Sequence, residues 1–366
     1  MTRLFLAGGG HAHLIVLEYL ARHPQKGLDI IIATPSPWQY YSGMLPGLIA
    51  GRYREEDCRI DIGKLAAKAG VRLILEPLVA INADRNNVFL SGGKEVAYDL
   101  LSLDIGSETD VGWFADRSVK LLPAKPLDAF IARWRDLVAS AQAQRTVQLT
   151  IVGGGTAGVE LALATKTALD STSVKSAVSL VVGPSGVLAA HGDRARRLAR
   201  GALARSGISV HESRATGHPD GVSLSDGSML NADFVIAATG ARPASWLSHS
   251  KLALDRQGFV LVDDTHRSVS HPNVFAVGDV ASRSDVTLER SGVHAVRAAP
   301  ILAQNLIAAL RGEALKPYNL RKRSLYILAT GRDSAIASWG KLSVEGRWVW
   351  RWKDHIDRSF IDRFKV

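Results

Sequence analysis

Short apolar runs alternate with helical patterns in the first two thirds of the chain, and this order predicts strand–helix–strand units. Residues 4–7 form one apolar run, residues 28–33 form the next, and apolar residues at helical spacing lie between them. The same order returns later, where the run 147–152 precedes a helical pattern and the run 178–182 follows it. Such runs are typical of parallel strands that are buried on both faces. The pattern therefore predicts an α/β fold with two strand–helix–strand units.

Further apolar segments predict the rest of the core. The segment 73–81 predicts a strand or a pair of strands, and the pattern changes to strand alternation at Arg321. A hairpin is predicted there, joining residues 325–329 to residues 335–339 around a turn at Gly331. The other predicted strands are 88–93 with its turn, 98–107, 232–240 and 271–279, and the other predicted helices are 127–144, 191–206 and 291–310.

Apolar residues recur at every fourth position in the C-terminal tail. This spacing predicts one apolar face of an amphipathic helix, with charged residues such as Lys353 and Asp357 on the other faces. The helix either docks on the protein by its apolar face or contacts a membrane surface or a partner with it. Charges at every second or third position argue against deep membrane insertion. The residues of the apolar face are Trp348, Trp352, Ile356, Phe360 and Phe364.

A glycine turn joins strand to helix in each of the two units. Glycine is needed where the turn requires positive φ and where the backbone approaches a pyrophosphate, and the helix N-terminus supplies N–H groups. His13 replaces the third glycine in the first turn and predicts a slightly displaced helix. No acid ends either second strand, where Thr34 and Gly183 stand instead, although a threonine hydroxyl can still bond a ribose. The turns are Gly8-x-Gly10-x-x-His13 and Gly153-x-Gly155-x-x-Gly158.

Composition narrows the class of protein. The 366 residues are enough for about two domains. No unbroken apolar run is long enough to predict a membrane span. The lone Cys58 excludes an internal disulfide and fits a reducing compartment, so we expect a cytoplasmic protein with Cys58 as a small buried side chain.

The net charge of +10 favours anionic ligands or an anionic surface, but its spread along the chain argues against specific nucleic-acid binding. His11 and His13 point to different helix faces, so no metal site is predicted.

Two segments each allow a structural and a functional interpretation. The predicted helix 191–206 carries four arginines that either form a solvated face or meet the 2′-phosphate of NADPH. The glycine-rich and aromatic loop 38–51 is either a packed connection or a wall against a flat ring system. Gly43, Pro46 and Gly47 would permit close approach there. The arginines are Arg194, Arg196, Arg197 and Arg200.

Taken together, four segments resemble those of the two-dinucleotide-binding-domain flavoproteins. The segments are the turns at 8–13 and 153–160, Ala238-Thr239-Gly240 with Pro243, and 274–279 ending in Gly278-Asp279. In that superfamily one Rossmann-like domain holds FAD, and a second one, inserted in the first, presents NAD(P)H to the flavin. The resemblance covers essentially the whole chain. It implies an FAD-binding domain of residues 1–120 and 256–320, an NAD(P)-binding domain of residues 121–255, and a C-terminal hairpin and helix of residues 321–366.

The resemblance also implies roles for single residues. Asp279 would bond the ribityl chain of FAD, and the helix beginning near Gly292 would point its positive end at the flavin. Glu160 would lie near the nicotinamide, and Glu160 and Pro46 are candidates for catalytic roles. As structural alternatives, Asp279 is a helix cap and Glu160 a surface residue. The implied FAD-binding residues are Gly8, Gly10, His11, Ala12, Thr34, Val79, Gly106, Lys125, Gly278, Asp279 and Val293. The implied NAD(P)-binding residues are Gly153, Gly155, Thr156, Ala157, Gly158, Glu160, Thr239 and Gly240.

Within this superfamily the chain is similar to type II NADH dehydrogenases. It resembles most closely the pyridine nucleotide-disulfide oxidoreductase branch that is often fused to selenide, water dikinase. The segments 41–51, 98–107 and 346–354 carry that similarity. The tail differs from the apolar anchor of type II dehydrogenases, so at most a peripheral membrane contact is expected.

The resemblance implies an FAD-dependent NAD(P)H dehydrogenase or reductase. Hydride would pass from NADH or NADPH to FAD, and electrons would leave to a quinone or another small acceptor without a redox disulfide. Two alternatives stay open. One is a flavoprotein that acts on a small substrate, such as a sulfur or selenium compound, with a degenerate nicotinamide site. The other is a non-catalytic nucleotide-binding subunit.

Overall fold

The computed structural model describes residues 2–114, 120–287, 290, 292–320 and 324–365. The predicted helix start at Ser291 and the predicted change of pattern at Arg321 lie outside these residues. The helices are α1 His11–Arg22, α2 Leu45–Ile49, α3 Ile62–Lys68, α4 Leu127–Gln142, α5 Thr156–Asp170, α6 Asp193–Arg205, α7 Gly292–Leu310 and α8 Arg347–Asp362. The strands are β1 Thr2–Ala7, β2 Leu28–Ala33, β3 Trp38–Tyr40, β4 Arg59–Asp61, β5 Arg72–Ile74, β6 Leu78–Asn82, β7 Asn87–Leu90, β8 Glu95–Ala97, β9 Leu100–Leu103, β10 Glu108–Thr109, β11 Lys120–Pro123, β12 Thr146–Val152, β13 Lys175–Val182, β14 Ser209–Glu212, β15 Ala215–His218, β16 Gly221–Leu224, β17 Met229–Asn231, β18 Phe234–Ala237, β19 Ala241–Arg242, β20 Val260–Val262, β21 Val274–Ala276, β22 Ala281–Arg283, β23 Leu325–Ala329, β24 Ala335–Trp339 and β25 Leu342–Gly346.

Two five-stranded parallel sheets form the centre of the fold. The first has the order β21-β9-β1-β2-β5 and the second the order β11-β18-β12-β13-β14. In each sheet the strand before the glycine turn is central, and the second strand of its unit lies beside it. Leu4 and Leu6 in β1 and Ile151 in β12 are fully buried, as expected for strands covered on both faces. The predicted α/β fold with two strand–helix–strand units is confirmed.

The chain passes between the two sheets twice. At these crossings β10 pairs antiparallel with β19. After the second crossing the chain returns to the first sheet, because Leu247 and Leu252 share a hydrophobic core with Val260 and Val274. The strands of the second sheet therefore lie between Lys120 and Ala237. The glycine turns follow the central strands β1 and β12. Each turn therefore lies at the carboxyl edge of its own sheet.

Helix α7 packs in the core against α1. Ala298, Leu302 and Leu306 of α7 share one buried cluster with Leu14 and Leu17 of α1. By length and composition α7 is also the one helix in the described ranges that could cross a membrane, with a mean hydropathy of 1.3. A core helix passes the same test, and the packing of α7 is that of a core helix.

The C-terminal segment forms a three-stranded antiparallel sheet followed by α8. The predicted hairpin is confirmed as β23 and β24, and β25 adds a strand that the sequence did not predict. The predicted docking face of α8 is only partly right, because Phe360 and Phe364 pack against the core whereas Trp348 is 57% and Trp352 40% exposed. A spacing of four residues advances about 40° beyond a full turn at each step, so such a stripe winds around the helix instead of following one face. The face that packs inward consists of Val349, Trp350, Lys353, Asp357 and Ile361.

The segment after β2 is more regular than the predicted loop. Trp38–Tyr40 is a strand, β3, that pairs antiparallel with β4. The short helix α2 follows, as the apolar spacing predicts. This arrangement brings the loop between β3 and α2 to the carboxyl edge of the first sheet.

Candidate functional site

The first glycine turn leaves no room for side chains. Gly8 has φ of +92°, and a Cβ atom there would lie 2.4 Å from the carbonyl oxygen of Asp104. A Cβ atom at Gly10 would lie 2.4 Å from the carboxylate of the same aspartate. Both positions therefore require glycine, the first because of its backbone angle and both because of the close approach of Asp104.

His13 fills the position of the missing third glycine. It is fully buried, with Nδ1 2.7 Å from the Gly8 carbonyl oxygen and Nε2 2.8 Å from the Ser102 hydroxyl. Burial lowers the pKa of His13 to about 4. A neutral ring satisfies both contacts, because one nitrogen donates to the carbonyl while the other accepts from the hydroxyl. His13 therefore acts as an internal brace between α1 and β9 and does not reach the cavity.

A buried carboxylate caps the start of α1. Asp104 follows β9, and its Oδ2 accepts hydrogen bonds from the N–H groups of Ala12 at 2.8 Å and His13 at 3.0 Å. Burial raises the pKa of Asp104 to about 6, while these hydrogen bonds oppose the rise. The sequence analysis did not single out Asp104. The available signal was its place at the end of a buried strand, directly before Ile105 and Gly106.

The raised pKa of Asp104 predicts a pH-dependent contribution to stability. An acid whose pKa is higher in the folded state stabilises the fold below its unfolded value, near 4, and loses that contribution as pH rises through about 6. We expect wild type to lose up to about 3 kcal/mol relative to Asp104→Asn between pH 4 and pH 7. Denaturant unfolding of both proteins across this range measures the difference. A difference that does not change with pH would contradict the assignment.

A cavity of about 470 Å³ opens beside the first glycine turn. It lies at the carboxyl edge of the first sheet, where ligands of open α/β sheets bind. Eight of the predicted FAD-binding residues line it: Gly8, Gly10, His11, Thr34, Gly106, Lys125, Gly278 and Asp279. Ala12 and Val293 are not among the lining residues. Val79 faces solvent with 41% exposed, while its neighbours Pro77 and Leu78 line the cavity.

Polar groups converge on one wall of this cavity. The carboxylate of Asp279 pairs with Lys125, and the Ser107 hydroxyl donates to it at 3.3 Å. His11 Nε2 is buried and has no hydrogen-bond partner among the residues described. Burial lowers the pKa of His11, and the carboxylates of Asp104 and Asp279 oppose that effect. A neutral donor or acceptor, a cation and a carboxylate therefore face the same space.

These residues fit a flavin dinucleotide. Gly8 and Gly10 allow close approach of backbone to a pyrophosphate, and His11 offers an unsatisfied polar atom. Asp279 can accept a hydrogen bond from a sugar hydroxyl, as the resemblance implies. Gly292 at the start of α7 also lines the cavity. The positive end of α7 would stabilise the negative charge of a reduced flavin bound at this end of the cavity, as the resemblance implies.

The second glycine turn is packed even more tightly. Gly153 has φ of +140°, and a Cβ atom there would lie 2.1 Å from the Ala238 carbonyl oxygen. A Cβ atom at Gly158 would lie 1.9 Å from the Gly153 carbonyl oxygen, so α5 touches the turn directly. Gly155 and Ala157 are exposed and Thr156 is half-buried at the start of α5. The turn has the geometry required of a second dinucleotide-binding loop.

Two further predicted NAD(P)-binding residues lie at the end of β18. The Thr239 hydroxyl donates to the Asp110 carbonyl oxygen. The Asp110 N–H donates in turn to the Gly240 carbonyl oxygen at 2.8 Å. Thr239 and Gly240 therefore fasten the two crossings between the sheets, beside the second glycine turn.

Glu160 joins α5 to the C-terminal sheet. Its Oε1 accepts a hydrogen bond of 2.7 Å from the Ala329 N–H. Burial raises the pKa of Glu160 to about 7, and the Lys353 ammonium opposes the rise. Glu160 is thus neither a solvated surface residue nor an isolated core group. It can take up and release a proton near neutral pH.

A buried ion pair of α8 holds the loop before α2. Lys353 Nζ donates to the Gly43 carbonyl oxygen at 2.6 Å and to Asp357 Oδ2 at 2.7 Å. The Tyr41 hydroxyl also bonds Asp357, and burial with this carboxylate raises the pKa of Tyr41. Pro46, the other candidate for a catalytic role, is buried in α2 and does not line the 470 Å³ cavity. The tail pattern places Lys353 and Asp357 on the charged faces, because Gly43 and Tyr41, which they bond in the interior, are more than 300 residues away in sequence.

The sequence predicts no metal site and a small buried side chain at Cys58. Within the described part of the chain, no group of three or more His, Cys, Asp and Glu side chains could hold a metal ion. Cys58 is buried, and burial raises the pKa of its thiol to about 12. At neutral pH this thiol is protonated and unreactive.

The two glycine turns and the cavity define an α/β protein that binds FAD and a nicotinamide nucleotide. The chain belongs to the pyridine nucleotide-disulphide oxidoreductase family, whose model matches residues 2–300. It is 28% identical over 304 residues to an NADH dehydrogenase-like protein of Mycobacterium tuberculosis, covering 77% of this chain and 73% of the relative.

Solved structures share the fold. The sulfide:quinone oxidoreductase of Aquifex aeolicus superposes with a TM-score of 0.80 at 18% identity, covering 99% of this chain and 92% of that one. A water-forming NADH oxidase of Lactobacillus brevis bound to NADH superposes with a TM-score of 0.74 at 20% identity, covering 93% of this chain and 75% of that one. The protein is therefore an FAD-dependent NAD(P)H oxidoreductase. With one cysteine in its sequence, it has no redox disulfide of its own.

Proposed function

We propose that the protein oxidises NADH or NADPH through FAD and passes the electrons to a small acceptor of the quinone type. The observation that carries this proposal is the junction of three elements. Lys353 of α8 bonds the Gly43 carbonyl and acts electrostatically on Glu160 of α5, and Ser42, next to Gly43, lines the flavin cavity. FAD, when bound, accepts hydride from the nicotinamide and releases electrons to the acceptor.

The residues of this chain would supply binding, orientation and proton balance. Reduction of a quinone consumes protons, and Glu160, with a pKa of about 7, can supply one at neutral pH. Lys353, paired with Asp357, fixes the Gly43 loop through the Gly43 carbonyl oxygen. The name of the Aquifex structure includes a quinone substrate, which supports this class of acceptor.

Anaerobic stopped-flow mixing with NADH and with NADPH tests the first half-reaction. We expect rapid bleaching of the flavin, followed by turnover with a short-chain benzoquinone. Bleaching by neither nucleotide would favour a flavoprotein with a degenerate nicotinamide site. Bleaching without turnover with any quinone or dye would reject the quinone acceptor. A role with selenium or sulfur compounds rests on the resemblance of three segments alone, and reoxidation of the reduced protein by such a compound would support it.

We also propose that the protein is cytoplasmic and that its tail makes a peripheral contact with a membrane. Trp348, Trp352 and Ile356 are exposed along one side of α8. Arg347 and Arg351 are exposed beside them. Tryptophan with arginine suits the interface of an anionic membrane, where a lipid quinone would be within reach.

The double variant Trp348→Ser with Trp352→Ser tests this contact. We expect its binding to anionic phospholipid vesicles to fall roughly tenfold or more, because two interfacial aromatic rings are lost. Turnover with a water-soluble quinone should stay at the wild-type rate. Leu75→Ser is the matched control, since Leu75 is also apolar and 52% exposed but lies outside the tail. Equal vesicle binding by wild type and the double variant would reject the contact.

A further inference from the structure

The loop after β13 lies at the position where an NAD(P)-binding Rossmann unit distinguishes NADH from NADPH. In such units the carboxyl end of the second strand meets the adenosine ribose, and an acid there bonds the 2′-hydroxyl of NADH. Here Gly183-Pro184-Ser185-Gly186 follows the strand, without an acid. The loop packs directly on the second glycine turn, because the Leu188 N–H donates to the Gly154 carbonyl oxygen at 2.8 Å.

Two arginines of α6 lie against this loop. Arg196 Nη2 donates to the Ser185 carbonyl oxygen at 3.0 Å, and its Nε lies 3.4 Å from the Val187 carbonyl oxygen. Arg200 Nη2 lies 2.8 Å from the point that a Cβ atom of Gly186 would occupy. Positions 196 and 200 are one helical turn apart and share a face. Both guanidinium groups are therefore held at the end of β13.

The two arginines differ in their pairing with nearby acids, since Arg200 is paired with one and Arg196 is not hydrogen-bonded to any of those described. Arg200 pairs with Glu212 at the end of the neighbouring strand β14, and both side chains are 42% exposed. Asp193 lies 3.8 Å from Arg196 and is 84% exposed, so it forms no hydrogen bond there. The guanidinium of Arg196 has five N–H donors, and the two carbonyl contacts use only part of them.

We infer that the protein uses NADPH in preference to NADH, and that Arg196 and Arg200 bind the 2′-phosphate of its adenosine ribose. A planar guanidinium fork matches a phosphate, and a loop of glycine and serine leaves space for one. Among the residues described, Glu212 lies at this edge and could instead bond the ribose of NADH, but its pairing with Arg200 opposes that use. The inference rests on the proposed function, since it assumes that the second glycine turn holds NAD(P)H.

Calorimetric titration of the FAD-loaded protein with 2′,5′-ADP and with AMP tests the phosphate site without turnover. We expect 2′,5′-ADP to bind at least tenfold more tightly than AMP, roughly the effect of one charged hydrogen bond. Arg196→Gln and Arg200→Gln should each weaken 2′,5′-ADP roughly ten- to hundredfold and leave AMP nearly unchanged. Arg197→Gln is the matched control, because Arg197 is exposed on the same helix about 100° away from Arg196.

The outcomes separate this inference from the proposed function. Equal affinity for 2′,5′-ADP and AMP would overturn the inference, as would a Glu212→Gln variant that loses AMP binding selectively. In either case bleaching of the flavin by NADH would still support the proposed function. Failure of both nucleotides to bind, together with no bleaching by NADH or NADPH, would reject the proposed function as well. Unchanged thermal midpoints of the variants show that any loss of affinity is local.

Discussion

The Gly153→Ala variant is expected to keep its FAD and to lose reduction by NADH and NADPH by a factor of about 100 or more. At φ of +140° an alanine is strained, and its Cβ atom would lie 2.1 Å from the Ala238 carbonyl oxygen. The turn must therefore move away from β18. The first N–H groups of α5 would move with it, and the loss of two charged hydrogen bonds to a pyrophosphate accounts for about this factor. Stopped-flow bleaching measures the rate.

Two other glycines serve as comparisons for this result. Gly8→Ala places the same kind of clash in the first turn, so that variant should lose its flavin and purify colourless. Gly155 has φ of −76°, and no atom of the described residues lies within 4 Å of the point that a Cβ atom would occupy, so Gly155→Ala should fold with unchanged stability. If the flavin of the Gly153→Ala variant were bleached by NADH or NADPH at the wild-type rate, the two turns would not serve two different nucleotides. Loss of FAD from this variant would lead to the same conclusion.

The strands and helices around the two turns could be predicted because their signals are local. An apolar run, a glycine turn and a helical period occupy about thirty consecutive residues in each unit, and each unit supplies two adjacent strands of its sheet. Several short strands were missed, among them β3, β8 and β25. Each has only three to five residues and depends on a partner strand for its conformation.

The candidate site was only partly predictable, for a similar reason. The resemblance led to residues in the first turn and in segments that match the family elsewhere in the chain, and eight of them line the cavity. The groups that join the turns to the rest of the protein are remote in sequence. Glu160 meets Ala329 across 169 positions, and Lys353 meets Gly43 across 310. A periodicity within the tail cannot show that Lys353 faces inward, because an isolated helix would place a lysine in water.

Because Lys353 faces inward, the Lys353→Met substitution is expected to cause a large loss of stability. Methionine cannot neutralise Asp357, which is 4% exposed, so a buried charge is left without its partner. We expect a loss of about 3–5 kcal/mol in the free energy of unfolding, measured with denaturant. The Gly43 carbonyl oxygen loses its donor in the same variant, so the loop beside the flavin cavity should loosen.

Three comparisons show whether this loss comes from the buried charge. The double variant Lys353→Met with Asp357→Leu should recover most of the stability, because no charge is then left unpaired. Lys365→Met should cost less than about 1 kcal/mol, since its pair with Asp362 is exposed. Lys353 also lowers the pKa of Glu160, so in Lys353→Met the Glu160 carboxyl should stay protonated to higher pH. The pH dependence of quinone turnover should then move upward. An unshifted profile would separate Glu160 from the acceptor half-reaction and leave Lys353 with a structural role alone.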